Sequence, residues 1–517
     1  MNTGSIINYP KVTCICPTRG RFETLRESIC LFLLQDYPNK ELIIFNNHNV
    51  DIIPHPKLIK HNIRVINAGD YAGRSMVTLY SHIIKLVDEE TELISIWDDD
   101  DLYFPWHLSS NIEKLLQSDK MAIRAKFGYW QDINHTMGDH YTVISNTLEA
   151  SMVGKKNSIF FREKDDPNLH SFIHPHTDWV SNVSRKAGFL YNDEITACFR
   201  WGYGRQYPHL QSVGPHKDSK DTGNGEYLKP IGVSSLFYDL ISRANLTTYN
   251  HQVVNFTADT KSALLKKFLE YRIDKYDHID KWNVWMYWDN PNRPGFIKQC
   301  HESIIQNTFA TVKILNDSDI KKYNLPSEVY NLAPTQRSDY LRIYLLCTKG
   351  GWWFDSDTYV VGDLDEHYFS YLNQHETVFP WEDNIPYRVV CPVLSSKPNG
   401  LIIKEALNNI KQYIKSGQNI GWSGLGTNGI IKAVNDYKSR GEGYVFGLND
   451  IAVFGYNNHL INEWNFSKID KNKLNIIIFH WSQIGGELPF KNDVNEIIKK
   501  YPNLETLFKL NIQKEQT

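Results

Sequence analysis

At 517 residues and 60.2 kDa the chain is long enough for two large domains or three ordinary ones. Its 56 Lys and Arg against 59 Asp and Glu give a formal charge of −3, which excludes a bulk nucleic-acid binder, because gripping a phosphate backbone needs a positive excess. No apolar stretch approaches the ~18–20 residues of a membrane span, and MNTGSIINYPKV lacks an apolar leader core, so a cytoplasmic protein with at most peripheral membrane contact is expected. Seven cysteines, odd in number and without a CxxC pair, make neither a disulfide framework nor a zinc ribbon.

The first predicted strand is KVTCIC (11–16), followed by the turn PTRGR. A helix follows in RFETLRESICLFLLQ, where Phe22, Leu25, Ile29, Phe32 and Leu33 recur at helical spacing. ELIIFNN (41–47) and IRVIN (63–67) read as buried strands, SMVTLYSHIIKLV (75–87) as a helix and ELISIW (92–97) as a fourth strand. A long stretch without strand signals comes next. It includes a Gly- and Asp-rich loop, HKDSKDTGNGE (216–226), and a charged-faced helix, KSALLKKFLEYRIDKY (261–276). A second run then repeats the plan: strand WNVWMYW (282–288), helix GFIKQCHESIIQ (295–306), strand ATVKIL (310–315), helix SDYLRIYLLCTKG (338–350) and the short strand WWF (352–354). Strands alternating with helices predict parallel sheets. The expectation is an α/β protein with two similar units, 1–230 and 281–517, joined by a helical linker over 231–280.

Each run ends in aspartates. Asp98, Asp99, Asp100 and Asp101 follow Trp97, and strand alternation would aim Asp98 and Asp100 to one face and Asp99 and Asp101 to the other. Four adjacent carboxylates repel, so the cluster needs water or a cation. Mg²⁺ or Mn²⁺, which takes one or two carboxylates together with a ligand's phosphate oxygens, suits the carboxyl edge of a parallel sheet. A solvated turn capping the helix after Pro105 accounts for the same residues.

PTRGR with its Pro17, ELIIFNN, Arg74 in AGRS and DDDDLYFPWHL together resemble the nucleotide-sugar half of family 2 glycosyltransferases, which have a Rossmann-like GT-A fold. The resemblance lays the family's D-x-D-D-x-x-x-P pattern on Asp98, Asp100, Asp101 and Pro105. It implies that Asp100 is the main metal-facing carboxylate, that Asp98 lies beside it at the ribose or sugar, and that Pro17, Asn46 and Arg74 contact the nucleotide. Asn46-Asn47 stands where the family usually has a diacidic pair; an amide there can hydrogen-bond a uracil or another base. HPHTDWVSNVSRKAG resembles the family's E-D-W-x-x-x-x-R segment, with Thr177 in place of Glu. That makes Asp178 the general base of an inverting transfer, although a helix-capping aspartate fits the position too. Arg200 and Arg205 are candidates for neutralising a diphosphate, and His209 and His216 for closing a metal shell. His170, His174 and His176 match no common zinc spacing.

The second cluster is sharper. Asp339 and Arg342 stand i, i+3 on one helix face. Thirteen residues after Arg342, past Gly350–Gly351, Asp355 and Asp357 flank Ser356 at a strand end. Two carboxylates there would hold a divalent cation that bridges two phosphates and acts as a Lewis acid toward a departing diphosphate. APTQRSDYLRIYLLCTKGGWWFDSDTYVVGDLD (333–365) resembles DXD-containing family 32 glycosyltransferases and capsular polysaccharide synthesis proteins, and the glucosyltransferase domains of large clostridial toxins share this core. The resemblance implies a retaining enzyme, with Trp285 or Trp288 stacked on the nucleobase and His480, after the strand LNIIIF, as the third metal ligand. Either tryptophan could instead be core, and Trp285, amid alternating apolar residues, has the stronger claim to it. Glu382 and Asp383 are candidates for acceptor contact. The Gly424, Gly426 and Gly429 pattern reads as a close-approach loop beside diphosphate or acceptor rather than a dinucleotide site.

The expected protein is a bifunctional glycosyltransferase: two tandem GT-A units, the first inverting and the second retaining, using Mn²⁺ or Mg²⁺ and UDP-sugars on a glycan or glycoconjugate acceptor. Two alternatives stand beside it. The first half could be a non-catalytic nucleotide- or acceptor-binding module. The chain could also be a metal-dependent nucleotidyl or phosphoryl transferase, although it has no Walker-type loop.

Overall fold

Val12–Thr18 is buried at all seven positions, as a strand covered on both faces requires. It pairs in parallel with Lys40–Asn46 on one side and Leu93–Ile96 on the other, and Ile63–Asn67 extends the sheet beyond Lys40–Asn46. The computed structural model describes residues 9–72, 76–132, 140–159, 177–186, 188–201, 225–243, 258–380, 392–417, 425–439, 445–448, 452–454, 469, 473–479 and 494–512. The chain divides into two units, Met1–Asp274 and Lys275–Thr517. The expected α/β class and tandem arrangement hold.

In the first unit Leu93–Ile96 is the last of the four parallel strands. Its outer neighbour, His140–Lys155, runs antiparallel and pairs in turn with Ala122–Asp132. The acidic run therefore leaves the sheet where parallel pairing gives way to antiparallel. The central stretch expected to lack strands holds these two, with Phe189–Asn192 and Ala197–Trp201 paired to Ala122–Asp132. Arg124 and Lys126 interrupt its apolar positions and the register slips twice between Ile123 and Phe127, so no clean period of two reaches the sequence. Strand alternation stops at Ile96, so residues 98–101 form a turn and Asp99 and Asp100 converge instead of opposing each other.

The linker expected over 231–280 is divided between the units. Ser234–Arg243 and Ala258–Leu269 are helices of the first unit because each carries buried apolar residues: Phe237 stacks between Phe104 and Phe268, with ring centroids 5.1 and 5.0 Å away. Lys267 pairs with Glu194 and lies over the Trp106 ring. The helix expected over 261–276 breaks where Arg272 takes a φ of +42°, and Ile273–Tyr276 resumes as a 3₁₀ turn.

The second unit builds the same plan. Thr311–Leu315, Asn283–Tyr287 and Gly351–Phe354 are parallel, and Val393–Ser396 pairs antiparallel with Gly351–Phe354. Thr377–Pro380 and Val445–Leu448 complete this sheet. Thr358–Val361, Asn475–Ile478 and Ala452–Phe454 make a separate three-stranded sheet. Helix Pro334–Lys349 opens on a proline and stops at Gly350, whose φ is +69°. Gly351, at φ +105°, starts the strand so close to Asn283 that a Cβ would overlap the Asn283 carbonyl. This pair lets the acidic strand lie directly against its neighbour.

Candidate active site

In the first unit the sequence PTRGR sets the geometry. Gly20, at φ +79°, turns the chain beneath His48 and brings Arg21 back over the acidic run before helix Phe22–Leu33 begins. Arg21 donates from Nη1 to Asp100 Oδ2 at 2.5 Å, from Nε to Asp99 Oδ2 at 3.2 Å, and from Nη2 to Asp99 Oδ1. Thr18 adds its hydroxyl to Asp99 Oδ2 at 2.6 Å. Burial alone would lower the pKa of the guanidinium, but Asp100 and Asp99 outweigh it and hold the group firmly charged. The Asp99 carboxyl is raised by burial and by Asp100, against the pull of Arg21 and Thr18. Asp101 Oδ1 accepts the Arg200 backbone N–H at 2.9 Å, and Asp98 Oδ1 accepts the Tyr80 hydroxyl at 3.1 Å.

Several expectations change here. Asp98 and Asp100 do not fit a divalent cation as a pair, because Arg21 already sits on Asp100. Arg200 is not placed to neutralise a leaving group: it is 1% exposed and donates to Glu27 at 2.8 Å and to the Asp100 carbonyl. Asn46 is spent on the fold, its amide joining Val50 O and Asn67 Oδ1, both at 2.9 Å, and its Oδ1 accepting the His48 N–H. Its neighbour Asn47 keeps a buried Oδ1 with no hydrogen-bond partner among the described residues, which makes it the better base-reading amide. Pro17 is buried in the strand, paired with Phe45. Asp178 lies on helix Thr177–Lys186, where its backbone alone is described. Arg74, Arg205, His170, His174, His176, His209 and His216 lie outside the described residues.

In the second unit helix Pro334–Lys349 and strand Gly351–Phe354 bring three of the expected residues together. Arg342 Nη2 donates to both oxygens of Asp355, at 2.7 and 2.9 Å, and lies 3.2 Å from Asp339 Oδ1. Trp353 Nε1 also donates to Asp355 Oδ1 at 2.7 Å. Sequence reasoning did not foresee this bond; two residues earlier on the same strand face was the available signal. Ser356 ties the acidic turn to the first strand through the Tyr287 carbonyl at 2.7 Å. Asp339 is pushed up to about 6, first by burial and, among the charges, by Asp355, with Arg342 and the Gly426 backbone N–H holding it down. Gly426 approaches so closely that a Cβ there would overlap the Asp339 carboxylate. Gly426 opens helix Gly426–Ser439, so of the glycine pattern it is a helix start that touches the site, through Asp339.

Asp357 differs from its partners. Among the described residues no side chain donates to its carboxylate. Burial, and then the charge of Asp355, raise its pKa well above the ordinary carboxylate range. A divalent cation would relieve that penalty, and Asp357 fits one; Asp355 can join it only by sharing oxygens that Arg342 and Trp353 already use. No third metal-ligating side chain joins them among the described residues. His480, Glu382, Asp383 and Gly424 lie outside those residues.

Trp285 is core. It is 2% exposed, packs beside Tyr340 and Leu341, and donates its indole N–H to the Gly350 carbonyl at 2.8 Å, so its ring has no face left for a base. Trp288 is partly buried against the cluster of Phe296, Cys300 and Phe479. A further polar group near the strand end went unforeseen: Arg337 grips Asp317 through both oxygens at 2.6 Å, and Tyr287 donates to the same carboxylate. It braces the loop after Thr311–Leu315.

The family model for capsular polysaccharide synthesis proteins matches residues 240–420, which contain Asp339, Arg342, Asp355 and Asp357. No curated protein matches the chain in sequence. Among solved structures it is similar to Staphylococcus aureus TarS residues 1–349, at 12% identity and a TM-score of 0.29, over 37% of this chain and 60% of that one. The PaToxG glycosyltransferase shares 16% identity at a TM-score of 0.23, over 34% and 78%. A mannosyltransferase from Pyrobaculum calidifontis, solved with GDP-Man and Mn²⁺, shares 18% at a TM-score of 0.20, over 23% and 36%. The chain spans under two thirds of the TarS fragment, and at these scores the functional reading rests on its own residues and on the family match.

Proposed function

We propose that the chain is a glycosyltransferase of polysaccharide or glycoconjugate synthesis whose second unit binds a nucleotide-sugar donor at Asp339, Arg342, Asp355 and Asp357. The observation that carries this reading is the line in which Arg342 pairs with Asp339 at 3.2 Å and hydrogen-bonds both oxygens of Asp355, with Asp357 next to it. Asp339 and Arg342 grip sugar hydroxyls, and Arg342 reaches phosphate oxygens. Asp357, with Asp355, would hold Mn²⁺ or Mg²⁺, which supplies charge neutralisation to a departing diphosphate. Arg342 orients Asp355 through both its oxygens, and Gly426 fixes Asp339 by its N–H. Trp288 is the remaining aromatic candidate for the nucleobase, which we take to be uracil. The first unit is a second, inverting transfer site with Asp178 as its base, Asn47 as its base-reading amide and Asp98 at the sugar; the second unit retains configuration.

The test is a turnover screen of the full chain. UDP-, GDP- and CMP-sugars are compared with plain nucleoside triphosphates in the presence of Mn²⁺. Release of nucleoside diphosphate from one sugar donor supports the reading. Turnover of triphosphates alone would replace it with nucleotidyl or phosphoryl transfer.

A further inference from the structure

The first unit's acidic run is usually the place to look for a metal, but four contacts on it come from the protein itself. Arg21 spans Asp99 and Asp100, Thr18 holds Asp99, Tyr80 reaches Asp98, and the Arg200 N–H takes Asp101. The guanidinium is 13% exposed and uses Nε, Nη1 and Nη2 on the two carboxylates. The left-handed turn at Gly20, at φ +79°, carries the chain back toward the acidic run, and His48 closes the space above that turn. Mg²⁺ and Mn²⁺ need carboxylate oxygens at short range and in a near-octahedral shell. A cation taking Asp100 would have to expel Arg21 or sit beside a like charge in a poorly solvated place.

We infer that Arg21 is the resident cation of the first unit, and that this unit holds its ligand without a divalent metal. The chain's metal requirement then belongs to the second unit alone. This inference rests on the donor-site reading only for the identity of the ligand; the guanidinium's claim on Asp99 and Asp100 is independent of it. What separates two sites that look alike in sequence is that Arg21 spans the middle pair of the first run, whereas Arg342 stops at Asp355 and no side-chain donor reaches Asp357 among the described residues.

The experiment counts Mn²⁺ bound to the full chain by equilibrium dialysis with UDP present, and follows bound Mn²⁺ by its paramagnetic resonance. The expected count is one per wild-type chain, unchanged by Asp100→Asn and reduced to zero by Asp357→Asn. Arg21→Gln, which uncovers Asp99 and Asp100, should bring a second Mn²⁺. Two Mn²⁺ per wild-type chain, one of them lost on Asp100→Asn, would overturn the inference. No Mn²⁺ on the wild type would leave the inference standing and sink the metal reading of the second unit, so the two failures are distinct. Should Arg21→Gln not fold, the Asp100→Asn count decides alone.

Discussion

In the first unit one guanidinium spans two adjacent aspartates; in the second, Arg342 pairs with Asp339 and donates to both oxygens of Asp355, and Asp357 receives no side-chain donor among the described residues. The sheets leading to the two clusters agree: each acidic run leaves the last parallel strand beside an antiparallel neighbour. What differs is where the arginine comes from. Arg21 arrives from the turn after the first strand and lands across the run. Arg342 arrives from the helix before the acidic strand and stops at its first carboxylate. Carboxylates at the same place in similar sheets therefore have different partners, and the count of aspartates does not reveal which.

The comparison breaks most sharply at Asp357. Asp357→Asn should lower donor turnover roughly 10²–10³-fold, as expected when a group stabilising developing charge is lost; near-normal turnover in the folded variant would equate the clusters. Removal of each arginine comes next. Arg21→Gln and Arg342→Gln each strand buried carboxylate, and each should lose about 3–5 kcal/mol in urea unfolding. The Arg21 variant should lose more, since its two aspartates are 1% and 4% exposed whereas the two that Arg342 holds are 14% and 22% exposed.

A pH dependence sharpens the second site. Asp339 rises from its ordinary 3.8 to about 6 in the folded chain. A raised carboxyl binds its proton more tightly when folded, so its contribution to stability is complete below pH 3.8 and is lost as pH climbs through about 6. That is roughly 3 kcal/mol across the window. Asp339→Asn should remove this slope from the curve of Tm against pH, and an unchanged slope would assign it elsewhere. The smallest expected effect is at Gly20. Gly20→Ala forces a left-handed backbone on a side chain and meets His48 Cγ at 3.0 Å, which should cost about 1–2 kcal/mol in thermal or urea unfolding.

The parallel core was legible because buried strands such as Val12–Thr18 and Lys40–Asn46 read as continuous apolar runs bounded by turns. The antiparallel strand Ala122–Asp132 was not, since charged residues and register shifts hide its period. The grouping of Asp339, Arg342 and Asp355 followed from helical spacing and the Gly350–Gly351 turn. Arg21's role did not, because a three-residue turn can aim a long side chain in many directions and only the fold selects one. Trp285 shows the same limit from the other side: its alternating apolar neighbours favour core packing, but only its contacts in the fold exclude base stacking. Asn46 and Asn47 are adjacent and both buried, and the turn over 46–50 takes one amide and spares the other's Oδ1.

The most direct test of the account is a crystal structure of the full chain with Mn²⁺ and UDP-sugar. The account expects diphosphate and metal density against Asp355 and Asp357, sugar within reach of Asp339 and Arg342, and Arg21 still seated on Asp99 and Asp100. Nucleotide bound away from Asp355 and Asp357, with both carboxylates unliganded, would contradict it.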